Sequence, residues 1–526
     1  PNACLYAKSD LIIAGGGTLT VTGNAGNGIT GKDTLKIEDT AVSVTAANHG
    51  INGKDCLVLK QADVTVTSGG DALRATNDSD TALGCVLIGA SALTLTAGED
   101  GIQAETTLTL FDTTGTVTSG GGSGAALSGD VSAKGIKAGT DITVRSGSYT
   151  LDCADDAVHA NGNVTVSGGT FTVTTGDDGV HADNAVTITD GTIDIPKCYE
   201  GIEGQTIDIS GGTIDIVSSD DGLNAAGGAD QSGFGGRGPD SFSGSSDSSI
   251  AISGGTLRID ASGDGIDSNG ALTVSGGEIY VSGPMSDGDS ALGHDGSATV
   301  TGGTVIAAGY SGMAQNFGTD STQGSILLTS RSTSTETIRV TDASGSVLAE
   351  FAPAKAYSCV IVSTPALKQG GTYTVNSGAL KFTDEKSFAV EPFEKLELTQ
   401  NGYALSGQVK YPVENTTYVL RTYLGSAEGE ATYLVDEQEV KDLNNISVNI
   451  PQSGALAPTG QYYVTSFLMT EKTFNMEDGT KKTALMGIDT NAFTTLVDYT
   501  NTNQPERPAG VTLEFVGNEV MRGEWQ

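Results

Sequence analysis

A repeat of about 22 residues runs through most of the first 322 residues of this chain. Short runs of alternating Val, Ile and Thr are broken by Gly-rich turns. A small-apolar residue pair recurs after an acidic position, at Ala157, Gly179 and Gly201, in steps of 22. Strands this short, with no helix-length pattern between them, do not fit βαβ crossovers. They predict an all-β solenoid of about twelve coils, with Val and Ile inside.

The chain divides into three regions by composition. The repeat covers 1–322 and includes a Gly/Ser-rich insertion, 226–249, that we expect to be flexible. Residues 323–386 indicate antiparallel strands that cap the solenoid, since repeats need capped ends. Over 387–526, longer alternating strands with aromatic residues predict a β-sandwich-like domain. Because the first residues already match the inside of a coil, we expect N-terminal coils to be missing from this sequence.

The charge of the chain limits its partners. The 526 residues hold 64 Asp and Glu against 27 Lys and Arg, which gives a formal net charge of −37. Such a surface repels the phosphates of nucleic acids. No run of 18 apolar residues is present, so no membrane span is predicted. Cations, neutral surfaces and cation-bridged acidic polymers are the partners that fit, and we expect a monomer.

Acidic residues recur at one register position of the middle coils. This position is occupied by Asp156, Asp178, Glu200, Asp221 and Asp264. Equal positions of a solenoid stack about 4.8 Å apart, and carboxylates that close raise one another's pKa unless a cation lies among them. Hard oxygen ligands favour Ca²⁺. A single Asp-Asp-Gly is equally typical of a solvated turn, so the prediction of calcium depends on the stacking.

Several stretches of these coils resemble a known family, the bacterial β-helical carbohydrate-binding proteins with a pectate-lyase-like fold. The matching stretches are GDDGVHAD, YEGIEGQTIDISGGTIDIVSSDDGLNAAGG, GDGIDSNGALTVSGGEIYVSGP and GYSGMAQNFG. The resemblance covers roughly residues 1–378. It implies a right-handed parallel β-helix, bound calcium, a secreted or cell-surface location, and binding of cellulose-like or pectic polysaccharides.

The resemblance also implies candidate calcium ligands. They are Asp155, Asp156, Asp177, Asp178, Asp183, Glu200, Glu203, Asp220 and Asp221. The same register positions continue to Asp264 and Asp267, which complete the candidate set. The earlier coils depart from the pattern, with Asn27, His49 and Lys134 at the acidic position, so calcium is not expected there.

The leading expectation is a non-catalytic binding protein, and two alternatives stay open. A calcium-dependent uronan lyase needs a Lys or Arg that takes the α-proton. The candidates are Lys32 and Lys54, which share a register, and Arg74, Lys134, Lys137 and Arg145. Lys32 and Lys54 are more typical of solvated partners of Asp33 and Asp55. The other alternative is a cell-surface adhesin or scaffold that only presents the C-terminal domain. No catalytic residue is assigned.

Two pairs of residues share a register on adjacent coils. His159 and His181 form the first pair, and we expect them to be structural rather than zinc ligands. Cys56 and Cys85 form the second. Side chains stacked in a parallel ladder point the same way, so a disulfide looks awkward. We therefore expect mostly free, buried thiols among the six cysteines.

Overall fold

The computed structural model shows an all-β protein. It describes residues 2–127, 131–226, 247–318, 320–368, 371–376, 387–389, 395–410, 412, 415–475 and 481–503. Two compact units are present, Pro1–Glu391 and Pro392–Gln526. The first contains a parallel β-solenoid of about 13 turns with coils of about 22 residues, which confirms the fold predicted from the repeat. Most of the insertion expected over 226–249 lies outside the described residues.

Strands of successive coils pair in parallel and form three ladders. The first ladder follows the acidic positions and contains Ala3–Ala7, Asn27–Gly31, Ile51–Gly53, Leu73–Ala75, Ile102–Ala104, Ile136–Ala138, Val158–Ala160, Leu223–Ala225, Ile266–Ser268 and Gly293–His294. The second contains Leu11–Ala14, Thr34–Glu38, Cys56–Lys60, Cys85–Gly89, Leu108–Phe111, Ile142–Val144, Ser249–Ile252, Ala271–Val274 and Ala298–Val300. The third contains Thr18–Gly23, Ala41–Ala46, Asp63–Ser68, Ala92–Ala97, Thr113–Ser119, Gly147–Cys153, Thr213–Ser218, Thr256–Ala261, Glu278–Ser282 and Thr304–Gly309. Three longer strands run through more than one ladder: Asn163–Thr175, Val180–Cys198 and Ile202–Ile209.

Period-two alternation builds the core of the solenoid. In Asp63–Ser68 the side chains of Val64 and Val66 are buried, whereas Thr65 and Thr67 are exposed. The same alternation in the other coils joins the inward residues into one continuous hydrophobic cluster. Each buried Val or Ile contributes about 1.5–3 kcal/mol to the free energy of unfolding relative to an exposed one. The parallel register places residues of the same type above one another in successive coils.

Glycine occupies the start of first-ladder strands because the surrounding atoms leave no room for a Cβ atom. A Cβ on Gly201 would lie 2.3 Å from the carbonyl oxygen of Gly222 in the next coil. On Gly28 it would lie 2.2 Å from Cγ1 of Val44. Contacts this short are not tolerated, so the repeated small residue lets neighbouring coils approach closely beside the acidic positions.

Antiparallel strands replace the parallel ladders after Gly309. Tyr357–Ser363 pairs antiparallel with Ser325–Ser334 and with the last third-ladder strand, Thr304–Gly309. A separate antiparallel sheet contains Val347–Phe351, Ile338–Asp342, Thr372–Asn376 and Ser387–Ala389. Residues from both form a second hydrophobic cluster. The cap function assigned to 323–386 stays a prediction.

The second unit contains two sheets. The three-stranded sheet consists of Lys395–Asn401, Ala404–Lys410 and Ile446–Asn449. The five-stranded sheet consists of Tyr433–Glu439, Tyr418–Gly425, Gly460–Asn475, Lys481–Asn501 and Ser453–Gly454. One hydrophobic cluster takes Leu405 and Val448 from the first sheet and Leu420 and Tyr462 from the second. The β-sandwich-like domain assigned to 387–526 stays a prediction. No helix in the described part of the chain has the length and apolar character that a membrane span requires.

A disulfide joins Cys56 and Cys85, so the expectation against it was wrong. The two residues pair in register, and their Cα atoms are 4.7 Å apart, inside the range of about 4.4–6.8 Å that disulfides use. The two Cβ atoms start in the same direction, but rotation about χ1 brings the sulfur atoms together. The remaining cysteines are free: Cys4, which is exposed, and Cys153, Cys198 and Cys359, which are buried.

Candidate cation-binding columns

The acidic positions form a column beside the first ladder, which we call the acid column. It contains Asp156, Asp178, Glu200, Asp221 and Asp264 in successive coils, and the first four are at most 6% exposed. The backbone N–H of Asp178 donates to Asp156 Oδ1 at 3.2 Å, and that of Glu200 donates to Asp178 Oδ1 at 3.2 Å. The N–H of Asp264 likewise donates to Asp221 Oδ1 at 2.6 Å. Each carboxylate is therefore held by the next coil.

A second polar column lies on the first ladder itself, and we call it the polar column. Its members are His159, His181, Glu203, Asn224 and Asp267, which pair in register from coil to coil. Each comes three residues after an acidic position, and the side chains of the two columns meet. His159, His181 and Asn224 are buried. The two columns together place an extended set of ligand atoms along several coils.

The structure brings many of the predicted ligands together in groups whose ligand atoms lie within 4.8 Å of one another. Three groups are Asp155–Asp156–Asp177, Asp178–His181–Glu203 and Asp221–Asp264–Asp267. A fourth joins His159, His181 and Asp183. Within the described residues these groups do not include Glu200 or Asp220. A fifth group, His49–Asp71–Glu99, was not assigned from the sequence, although Asp71 lies at the acidic position of its coil.

In the coil before Asp156, the side chain of Lys134 is the cation that pairs with the acid column. Nζ of Lys134 lies 2.5 Å from Asp156 Oδ2 and 3.0 Å from Asp155 Oδ1, and Lys134 is only 4% exposed. Burial alone would lower the pKa of Lys134, but the charges of the two aspartates raise it well above its ordinary value. Burial would raise the pKa of Asp156, but Lys134 and then His159 hold it well below the usual range. This part of the column is neutralised from within.

In an earlier coil, an arginine and a histidine contact the residue at the acidic position. Nη1 of Arg74 donates to Asp71 Oδ2 at 2.9 Å. Burial would raise the pKa of Asp71, but the hydrogen bonds from His49 and Arg74 keep it lowered. Cationic side chains therefore neutralise the acidic positions of these coils, Lys134 from the acid column and Arg74 from the register of the polar column.

In the coils of Asp156 and Asp178, histidines contact the residues at the acidic positions. The rings of His159 and His181 stack with centroids 4.7 Å apart and planes 8° apart. Nδ1 of His181 lies 2.6 Å from Glu203 Oε2 and 3.4 Å from Asp178 Oδ2, and its Nε2 lies 3.2 Å from Asp183 Oδ1. Burial would lower the pKa of His181, but hydrogen bonds to these three carboxylates raise it well above its ordinary value.

Carboxylates dominate the last part of the columns. Burial, followed by the charges of Asp264, Asp220 and Asp267, raises the pKa of Asp221 to about 9. Burial also raises the pKa of Asp264 to about 7, although the backbone N–H of Ser290 acts in the opposite direction. These shifts show that the ionised carboxylates are under-compensated by the protein alone. A bound cation would remove that cost.

An unsatisfied oxygen lies in the same part of the polar column. Asn224 is 2% exposed, and its Nδ2 donates to Glu200 Oε2 at 3.0 Å. Its Oδ1 is buried without a hydrogen-bond partner in the described structure. Asn224 pairs in register with Asp267, next to the Asp221–Asp264–Asp267 group. Carboxylate and amide oxygens with no nitrogen donor are the ligands that Ca²⁺ prefers, so the donor chemistry of this group fits calcium.

Comparison with known proteins bears on the first coils. The search of curated proteins finds no match to the chain. A family model matches one part of the chain, which runs from the first coil to Gly179, the residue after Asp178 of the acid column. Residues 1–179 match the model of a family described as carbohydrate-binding domain-containing protein.

Proposed function

We propose that the protein binds an extended polysaccharide along the outside of its solenoid and does not catalyse a reaction on it. The family match over 1–179 carries this proposal. Long, flat ladders suit a polymer, because each coil adds the same weak contact at a repeat of about 4.8 Å. Affinity then comes from many aligned contacts rather than from one deep pocket.

An exposed column of threonines is the surface that we assign to the glycan. Its members are Thr65, Thr94, Thr116, Thr150 and Thr172, in register on the third ladder. All five are exposed, and all fall inside the matched segment 1–179. Threonine hydroxyls both donate and accept hydrogen bonds, as sugar hydroxyls do. The methyl groups add apolar contact with the faces of sugar rings.

Calcium completes the proposal as a structural ion of the acid column. Asp221, Asp264 and Asp267 would hold it, and the unsatisfied Oδ1 of Asn224 and the raised pKa values support this assignment. When bound, calcium would neutralise the stacked carboxylates and lock neighbouring coils together.

An extracellular or cell-surface location follows from the same proposal. The Cys56–Cys85 disulfide supports it, because disulfides persist mainly in oxidising compartments. The family resemblance of the middle coils favours cellulose-like or pectic glycans as ligands, and these are the first ligands to test.

The experiment uses the purified chain on insoluble cellulose and on immobilised polygalacturonate, in calcium and in chelator. Retention without ultraviolet absorbance from unsaturated product is the expected result. The double variant Thr94→Val and Thr116→Val should lose retention. The matched control, Thr143→Val and Thr165→Val, alters an in-register pair on the second ladder and should retain wild-type binding.

Two results would contradict the proposal. New ultraviolet absorbance would indicate β-elimination and favour a lyase, with Lys32 and Lys54 as the first bases to test. Absence of retention on both polymers would favour the scaffold.

A further inference from the structure

The stacked histidines differ from the rest of the columns because they present nitrogen ligands. The chain has only four histidines, and two of them share one register position on adjacent coils. Nδ1 of His159 lies 2.8 Å from Asp156 Oδ2, and Nδ1 of His181 lies 2.6 Å from Glu203 Oε2. A ring that gives its Nδ1–H to a carboxylate presents an unprotonated Nε2.

The Nε2 edges of both rings face oxygen atoms. Nε2 of His159 lies 3.1 Å from Asn161 Oδ1, and Nε2 of His181 lies 3.2 Å from Asp183 Oδ1. Asn161 can rotate its amide and donate to its ring, but an ionised Asp183 has no hydrogen to donate. A neutral His181 whose Nδ1–H goes to Glu203 leaves Nε2 and Asp183 as two acceptors in contact, and either a proton on the ring or a metal ion between them would resolve this contact.

We propose that His159, His181 and Asp183 form a site for a divalent transition-metal ion of the zinc class. One ring nitrogen from each histidine and one oxygen of Asp183 already lie within 4.8 Å of one another. Zinc takes nitrogen and oxygen ligands at about 2.0–2.2 Å, which places ligand atoms about 3.4 Å apart. Tilting the two stacked rings by about 1 Å at their nitrogens closes that difference.

The surroundings of the site match those of known metal centres. Ligating histidines commonly donate their second ring nitrogen to a carboxylate, which fixes the ring and raises its basicity. Asp156 and Glu203 stand in that relation to the two rings. The site lies between the buried ladder and the surface: His181 is buried, whereas Asp183 is partly exposed and Asn161 is exposed. Imidazole ligands favour zinc-class ions, whereas all-oxygen groups favour calcium.

The proposal is tested on the full chain with Co²⁺ and Zn²⁺ after treatment with chelator. We expect one Co²⁺ per chain with the intense visible absorption of a four-coordinate ion, displaced by Zn²⁺ and not by excess Ca²⁺. In histidine-labelled protein, the imidazole nitrogen signals of His159 and His181 should shift on addition of Zn²⁺. Those of His49 and His294 should not.

Variants separate this site from general metal binding. His159→Gln should weaken Co²⁺ binding by about 100-fold or more, and Asp183→Asn should weaken it without disturbing the buried ring of His181. His294→Gln is the matched control, with the same substitution at a histidine outside the group, and should bind as the wild type does. The proposal is overturned if Co²⁺ does not bind, if binding survives both ligand variants, or if the shifted signals belong to His49. These outcomes do not depend on glycan binding, so the proposed function is judged separately.

Discussion

Lys134 occupies the register position of Asp156 one coil earlier, and its ammonium nitrogen lies 2.5 Å from the carboxylate of that aspartate. A residue that breaks the acidic pattern in the sequence is thus the counterion of the pattern in space. In an earlier coil Arg74, which lies at the register of the polar column, is the counterion of Asp71. The column is neutralised by Lys or Arg in the first coils and by histidine in the middle, whereas the carboxylates near its end have raised pKa values.

Lys134→Met should lower the free energy of unfolding by about 3–5 kcal/mol in chelator, because removing one partner leaves buried carboxylates uncompensated. Denaturant unfolding followed by circular dichroism measures the loss. Lys137→Met is the matched control. Its Nζ lies 3.5 Å from Asp100 and is more exposed, so its loss should be below about 1 kcal/mol. Equal losses in the two variants would show that the Lys134 ion pairs are not specifically required.

Calcium should raise the thermal midpoint of the first unit, because a ligand that binds only the folded state stabilises it. At a free concentration 100 times Kd, the gain is about 2.7 kcal/mol. The double variant Asp264→Asn and Asp267→Asn should lose this gain. Asp194→Asn, an exposed aspartate of Val180–Cys198, should keep it. Differential scanning calorimetry in calcium and in chelator makes the comparison, and an undiminished gain in the double variant would place the calcium elsewhere.

Stability in chelator should fall as pH rises from about 4 to 9. Over this window the folded chain keeps protons on Asp221, with a pKa of about 9, and on Asp264, with a pKa of about 7, that the unfolded chain has released. The folded state therefore binds more protons, and the free energy of unfolding decreases with pH. The raised pKa values of Asp178 and His181 act in the same direction.

The pH effect is measured as the denaturation midpoint against pH. The double variant Asp221→Asn and Asp264→Asn should flatten the profile, and saturating calcium should do so in the wild type. A midpoint that rises with pH in chelator would contradict the proton assignment.

Reducing the Cys56–Cys85 disulfide should destabilise the first unit by about 3–4 kcal/mol, the loop-closure value for its sequence separation of 29 residues. Thermal unfolding with and without reductant measures the loss. The double variant Cys56→Ser and Cys85→Ser should match the reduced wild type and show no further response to reductant. A remaining response would implicate another cysteine.

The register of the coils was predictable from the sequence, but the directions of side chains were not. The 22-residue step correctly aligned His159 with His181, and the matching stretches CLVL and CVLI correctly aligned Cys56 with Cys85, 29 residues later. It could not show that two parallel cysteines turn towards each other, because that depends on χ1. For the same reason the sequence did not identify Lys134 as the ion-pair partner of Asp156. Register gives neighbours one coil apart, whereas ion pairs depend on the reach of flexible side chains.

The fold of the solenoid was predicted more completely than its candidate site for a physical reason. Buried Val and Ile need only the correct face, and period-two alternation specifies the face. A cation site needs ångström-level convergence of side chains from two columns, and the alternation says nothing about that.

The backbone hydrogen bonds from Asp178, Glu200 and Asp264 to the carboxylate one coil before have a consequence for how such chains change over evolution. Every coil depends for its charge balance only on its immediate neighbours, as repeat proteins depend on nearest-neighbour contacts. A coil can therefore use lysine or histidine to neutralise its acidic residue without any change in distant coils. Duplication or loss of a whole 22-residue segment keeps the register, so the length of the solenoid is free to vary in steps of one coil.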